Sequence, residues 1–144
     1  MSEVQRTLVL IKPDAVARGL VGTVLARYET KGLRVVALQM RTIDATLSDT
    51  HYAEHLERAF YPGLRDFITS GPLVALVLEG DEAIEVVRIL NGATDGRRAS
   101  PGSIRGDFAL SNQRNLVHGS DGPESAAREI ALWFPELASG PGGR

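Results

Sequence analysis

Three histidines are the side chains of this sequence best suited to chemistry, and their settings differ. His118 follows the apolar pair Leu116-Val117 and precedes Gly119-Ser120-Asp121. The apolar pair anchors its backbone, and Gly119 removes side-chain bulk beside the ring so that another group can come close. Ser120 and Asp121 lead into a helical segment whose unpaired N–H groups favour a nearby anion. An imidazole with an unperturbed pKa of about 6.5 is largely neutral at pH 7 and keeps one nitrogen free as a nucleophile. On spacing alone His118 reads equally well as a capping or structural histidine. Glu129, on the following helix, can reach back to orient the ring, or it can stand as a solvated helix carboxylate.

His51 and His55 are spaced i, i+4 on a helical stretch, the spacing of two zinc ligands on one face. Glu54 falls in the wrong place for a metalloprotease helix and no third ligand cluster accompanies the pair, so both are expected to face solvent. No Gly-x-x-x-x-Gly-Lys-Ser/Thr loop occurs, and no Gly-x-Gly-x-x-Gly follows a strand. Phosphate contacts must then come from separate cations at element ends or in loops. Lys12, Arg88 and Arg105 are so placed, although each taken singly is more often a surface charge.

The elements that would hold these groups can be read from periodicity. Thr7 to Ile11 is an apolar run stopped by Lys12-Pro13-Asp14, a strand buried on both faces with Lys12 at its end. Val21 to Lys31 is helical, with Gly32 as its stop. Arg34 to Ile43 is a second strand, and Asp44 and Ser48 are capping candidates for the next helical stretch. Ser48 to Ser70 reads as two helical pieces interrupted at Tyr61-Pro62-Gly63. Leu73 to Leu78 is the strongest strand and belongs at the sheet's centre. Ala83 to Leu90 is amphipathic, and Gly92 to Gly106 is a long polar loop, either a binding element or a solvated insertion. Asp107 to Leu110 with Leu116-Val117 reads as a short extended edge leading to His118. A last helix starts at Asp121, with Glu124 completing a capping box and Pro123 in the first turn, and stops at Pro135. This order suggests helices on one face of a small sheet.

At 144 residues one domain is expected, residues 1–135, followed by a Gly/Pro-rich tail, 136–144. The composition, 43% hydrophobic and 24% charged, excludes general disorder and fibrous architectures. A net charge of −2 gives no overall pull toward nucleic acid or acidic lipid, so any anion site must be local. Without cysteine there is no disulfide, thiolate metal site or cysteine nucleophile. No apolar run approaches the roughly 18 residues of a membrane span and the N-terminus has no leader pattern, so a cytoplasmic protein is expected.

Several segments in order carry a family resemblance: Thr7-Leu8-Val9-Leu10-Ile11-Lys12-Pro13-Asp14, His51-Tyr52-Ala53-Glu54-His55, Ser70-Gly71-Pro72, Gly92-Ala93-Thr94-Asp95, Pro101 to Phe108, and Asn115-Leu116-Val117-His118-Gly119-Ser120-Asp121. From about Arg6 to Phe134 the chain resembles the nucleoside diphosphate kinases. The resemblance implies an α+β, ferredoxin-like (βαββαβ) sandwich with an antiparallel four-stranded sheet and helices packed around it. It implies a ping-pong transfer through phosphorylated His118, with Glu129 and Ser120 holding the ring and Lys12 and Tyr52 serving the moving phosphate. Arg88, Thr94 and Arg105 would grip the other phosphates, Phe60 would stack on the base, and Asn115 with Lys12 would meet the sugar 3′-hydroxyl. Mg²⁺ would arrive with the nucleotide, with no protein side chain as its ligand. The implied partners are nucleoside tri- and diphosphates and further copies of the chain in a hexamer, with neither stable nucleic acid nor membrane among them.

Gly122, Asn112, Ala59 and Gly96 depart from the family's usual residues, touching a hydroxyl near the site, the grip on the base and loop rigidity. A competing expectation is a ferredoxin-like module that binds nucleotide for regulation without transferring phosphate. Against it, such a module has no need of His118, Glu129 and Lys12 together, and the aromatic pairs of an RNA-recognition sheet are missing.

Overall fold

Strand β1, Val4–Ile11, lies inside a four-stranded sheet of order β2-β3-β1-β4, where β2 is Arg34–Arg41, β3 is Leu73–Asp81 and β4 is Val117–Gly119. Every pairing is antiparallel. The computed structural model describes residues 3–138. Leu8, Val9, Leu10 and Ile11 are 0% exposed, which is why this stretch reads as an unbroken apolar run rather than an alternating one.

The two faces of the sheet bury different helices. Val9, Ile11, Val74, Leu76, Leu78 and Val117 face a core shared with α2, Val21–Lys31, and α5, Ala83–Asn91. Leu8, Leu10, Leu73, Ala75 and Val77 face Ile68 of α4, Tyr61–Ile68, and Ile130 and Trp133 of α7, Pro123–Trp133. Helices therefore cover both faces, not one, because alternate side chains of β1 and β3 are apolar on both sides and each face needs a cover. Helices α1 (Pro13–Ala17), α3 (Ala45–His51), α6 (Ile104–Phe108) and α8 (Pro135–Ala138) complete the order.

The punctuation largely agrees with the sequence. Gly32 takes the left-handed conformation, φ 112°, that closes α2, and Asp44 caps α3 by accepting from the Leu47 N–H at 2.9 Å. Ser48 instead sits buried inside α3, hydrogen-bonded to the Tyr61 hydroxyl. Three further expectations are corrected. The extended edge placed at 107–110 is the end of α6, begun by Ser103, whose Oγ accepts from the Gly106 N–H. The capping box at Asp121 does not form, since Gly122 is the N-cap residue of α7 and Asp121 pairs with Arg88. Residues 136–138 of the expected tail belong to α8, and 139–144 lie outside the described residues.

The register carries the site. His118 stands opposite Leu10, with Val117 opposite Ile11 and Gly119 opposite Val9. β1 is thus a ruler that places Lys12, one residue beyond its end, beside the strand bearing His118.

Candidate active site

Helix α5 packs closely against the end of strand β4. A Cβ at Gly119 would meet Val87 Cγ1 at 2.9 Å and Asn91 Nδ2 at 3.1 Å, so only glycine admits the helix that carries Arg88. His118 sits one residue earlier, and its Nε2 is 2.9 Å from Glu129 Oε1 on α7. Ser120 donates to the same oxygen at 2.8 Å and is itself held by β1, its Oγ accepting from the Leu8 N–H. A carboxylate can only accept, so the imidazole proton is on Nε2 and Nδ1 keeps its lone pair. Burial alone would raise the Glu129 pKa, but the His118 hydrogen bond and charge, the His51 ring and the Ser120 hydroxyl outweigh it and leave it below the ordinary range.

Nine of the ten expected site residues, His118 among them, line one cleft of about 550 Å³, and Ser120 lies behind the ring with no exposure. The Lys12 ammonium donates to Asn115 Oδ1 at 2.9 Å, and the Asn115 amide donates to the backbone oxygens of Thr94 and Asn112. Burial, then the Arg105 guanidinium, push Lys12 down to about 8, with Asp14 opposing them. Arg105 spans three backbone oxygens, of Asn115 (3.2 Å), Gly92 (2.8 Å) and Val117 (2.6 Å), leaving part of its fork for the cleft. Arg88 reaches over the opposite wall and pairs with Asp121 at 2.7 Å. Tyr52 is kept a phenol by burial and by Glu129, both of which raise its pKa. Phe60 is 54% exposed at the mouth, 5.6 Å from the His55 ring.

Leu116, which feeds β4, is 0% exposed and left-handed, φ 74°. A buried non-glycine residue there costs about 1–3 kcal/mol and persists only where its surroundings enforce it.

His51 corrects the expectation of a solvent-facing histidine. It is 4% exposed, its ring meets His118 edge-on with centroids 4.9 Å apart, and the Trp133 indole N–H donates to its Nδ1 at 3.0 Å. Burial, then the neighbouring His118, push it down to about 3. It is neutral, with its proton on Nε2, because an indole only donates. Ser48 and His51 share one face of α3 at i, i+3, and both are buried. His51, His118 and Glu129 offer ligand atoms within 4.8 Å of one another, the two-histidine, one-carboxylate set of many metal sites. Here Nδ1 of His51 is taken by Trp133 and Nε2 by its proton, so the three form a hydrogen-bonded and packed cluster, not a metal cage.

This neutral histidine makes the fold acid-sensitive. Its folded pKa lies below the unfolded value of 6.5, so its stability is fully present above pH 6.5 and is lost as pH falls toward about 3. A loss on the order of a few kcal/mol is expected over that window, and His51→Gln, which still accepts from Trp133, should flatten it in thermal melts recorded against pH.

Fold and cleft together define a class: a ferredoxin-like α+β protein with a cleft lined by Lys12, Arg88 and Arg105 and built around an imidazole with one nitrogen held by a carboxylate and the other free. The nucleoside diphosphate kinase family model matches residues 5–138. A nucleoside diphosphate kinase from Nocardioides sp. is 70% identical over 132 residues, 92% of this chain and 98% of that protein. One from Rhodococcus erythropolis is 63% identical over 136 residues, 94% and 98% of the two chains. Among solved structures, a halophilic nucleoside diphosphate kinase from Halobacterium salinarum in complex with CDP superposes with a TM-score of 0.89 at 49% identity, covering 92% of this chain and 88% of that one. A family protein from Babesia bovis gives 0.88 at 44% identity, covering 92% and 90%. The chain belongs to the nucleoside diphosphate kinase family.

Proposed function

We propose that the chain moves the terminal phosphate of a nucleoside triphosphate to a nucleoside diphosphate, by a ping-pong route through phosphorylated His118. The observation that carries this is the His118 ring itself, its Nε2 held by Glu129 and its other nitrogen unprotonated in a cleft lined by Lys12, Arg88 and Arg105. In the first half, Nδ1 bonds to the γ-phosphorus as the bond to the β,γ-bridging oxygen breaks, and the diphosphate leaves. The second half runs the same exchange backward with another diphosphate as nucleophile. The proton on Nε2 stays with the ring, where the Glu129 carboxylate stabilises the positive charge that forms on it.

Phosphoryl transfer asks the protein mainly to position and to stabilise charge. Lys12 and the Tyr52 hydroxyl serve the transferring group, while Arg88, Thr94 and Arg105 hold the remaining phosphates. Asn115, tied to Lys12, meets the sugar 3′-hydroxyl with it. Phe60 offers a face on which a base stacks, and stacking makes no demand on a base's hydrogen-bonding edge, so broad base use is expected. The carboxylates in the phosphate end of the cleft are engaged, Asp121 with Arg88 and Glu129 with His118 and Ser120. That donor set suits a Mg²⁺ carried on the phosphate oxygens of the nucleotide, where it neutralises their charge, with exposed Glu54 the lining carboxylate left to meet its hydration shell.

The test is incubation with γ-labelled nucleoside triphosphate. The protein should take up an acid-labile, base-stable label that added diphosphate removes, and initial rates should give parallel double-reciprocal lines; a protein that binds nucleotide but never takes label would end this reading. Activity should also fall as pH rises through about 8, where Lys12 loses its proton. Lys12→Arg, at a lower rate, should carry that limb beyond the measured range, which a pH–rate profile checks.

Among the described residues no helix is long and apolar enough to cross a membrane. A cytoplasmic location and a homohexamer are part of the same proposal. Exposed Leu38 and Met40 on edge strand β2 support self-association, and the segment around Pro101 would join the trimer contacts. Sedimentation at six times the chain mass is the expected result.

A further inference from the structure

The left-handed turn before His118 is held by an acid that the phosphohistidine scheme does not use. Leu116 sits at its centre, and the Val117 N–H donates to the Asn115 oxygen at 2.8 Å across it. The turn joins two residues with work in the cleft, Asn115 and His118. Its backbone is clamped by two cation-bearing residues: the Lys12 N–H donates to the Leu116 oxygen at 2.8 Å, and Arg105 donates to the oxygens of Asn115 and Val117. The remaining group, the Leu116 N–H, donates to Asp14 Oδ2 at 3.1 Å, 102 residues away in sequence.

We propose that Asp14 is a positioning residue of this reaction: by pinning Leu116 in its left-handed turn it fixes the His118 imidazole and the Asn115 amide against the Lys12 ammonium. The proposal rests on the phosphohistidine reading. The plain alternative is an acid favoured in the first turn of α1. Helix stabilisation needs only proximity to the N-terminal amides, which a solvated carboxylate provides. Asp14 instead reaches out of its helix to a distant backbone, and its other oxygen, Oδ1, is buried with no hydrogen-bond partner among the described residues. An arrangement that leaves a carboxylate oxygen unpaired is costly for a mere helix start and intelligible where the second oxygen holds a strained turn. Because Asp14 follows Lys12 by two residues, one short segment sets both the ammonium and, through Leu116, the ring. Its charge also supports protonation of Lys12 against burial and Arg105.

The experiment compares wild type, Asp14→Ala and Asp14→Asn by single-turnover labelling at saturating nucleoside triphosphate, with diphosphate affinity measured separately. A misplacement of about 1 Å costs on the order of 10²-fold in rate, so Asp14→Ala should label about 30- to 100-fold more slowly with diphosphate affinity changed less than about 3-fold. Asp14→Asn keeps an oxygen that accepts from the Leu116 N–H and should recover most of the rate at pH 7. In both variants the alkaline limb should move to lower pH, because Arg105 on α6, His51 on α3, His118 on β4 and Glu129 on α7 still face the cleft while the Asp14 charge is gone. Asp14→Ala labelling at the wild-type rate overturns the proposal, as does Asp14→Asn being as slow as Asp14→Ala. If the alanine variant does not fold, Asp14→Ser, too short to reach Leu116, takes its place under the same criterion. A wild type that takes no label sinks the phosphohistidine reading itself, whereas a labelled wild type with an equally fast Asp14→Ala sinks Asp14 alone.

Discussion

His118→Ala should lose phosphate transfer by at least about 10⁴-fold while still binding nucleotide. The side chain supplies the atom to which the phosphorus would bond, so its removal deletes the covalent intermediate rather than slowing it. The groups around it remain: Lys12 keeps its bond to Asn115, and Arg105 keeps its three backbone oxygens. Diphosphate affinity should therefore change little, and kcat should carry nearly the whole loss. Glu129 gives up one partner but retains Ser120, so stability should fall by only about 1 kcal/mol. Labelling with γ-labelled triphosphate and a steady-state assay check both halves. Persistent acid-labile label in the variant would move the nucleophile elsewhere, and His51, whose ring centre is 4.9 Å from that of His118, would be the first place to look.

Arg105→Ala should be the second most damaging change, and it should damage two properties at once. Nε, Nη1 and Nη2 each donate to a backbone oxygen, from Asn115, Gly92 and Val117, on either side of the left-handed turn and at the end of α5. Alanine leaves these acceptors without their charged donor, at a cost of about 2–4 kcal/mol. In a chain of this size the melting temperature should fall on the order of 10 °C. A cation of the cleft, proposed to hold the phosphates, goes with it, and a loss of about 10²- to 10³-fold in kcat/KM is expected. Arg105→Lys separates the two effects, since an ammonium keeps the charge but has no planar fork to span three oxygens. Lysine should rescue rate more than melting temperature. Equal failure of both variants in both measurements would mean that the fork, and not the charge, is what the reaction needs.

Strands β1 and β3 were legible because burial on both faces writes an uninterrupted apolar run, and α2, α4 and α5 because amphipathic spacing, Gly32 and Pro62 mark them. What the sequence hides is which face each helix covers. That depends on strand order, and a one-dimensional pattern holds no record of which strands are neighbours. Helix α6 was hidden for a different reason: only five residues long and interrupted by Gly106, it has no periodicity, and its single signal is the Ser103 cap. The capping box at Asp121 and Glu124 satisfied the local rule and lost to a tertiary one, the ion pair with Arg88. His51 shows the same limit, because Trp133, which takes it out of solvent, stands 82 residues away. The expected site side chains, by contrast, were named on family likeness and local context. Their convergence on one cleft comes from β1, whose end delivers Lys12 next to β4.

The register of β4 on β1 has an evolutionary consequence. Three paired residues fix which way the His118 ring points, and successive side chains of a strand face opposite sides. A single residue inserted between Asn115 and His118, or deleted there, would turn the imidazole from Glu129 toward the layer of α2 and α5 while leaving the rest of the sheet able to pair. Length variation in this lineage should thus be tolerated at surface loops and purged from those few positions, where a change too small to unfold the protein would silence it.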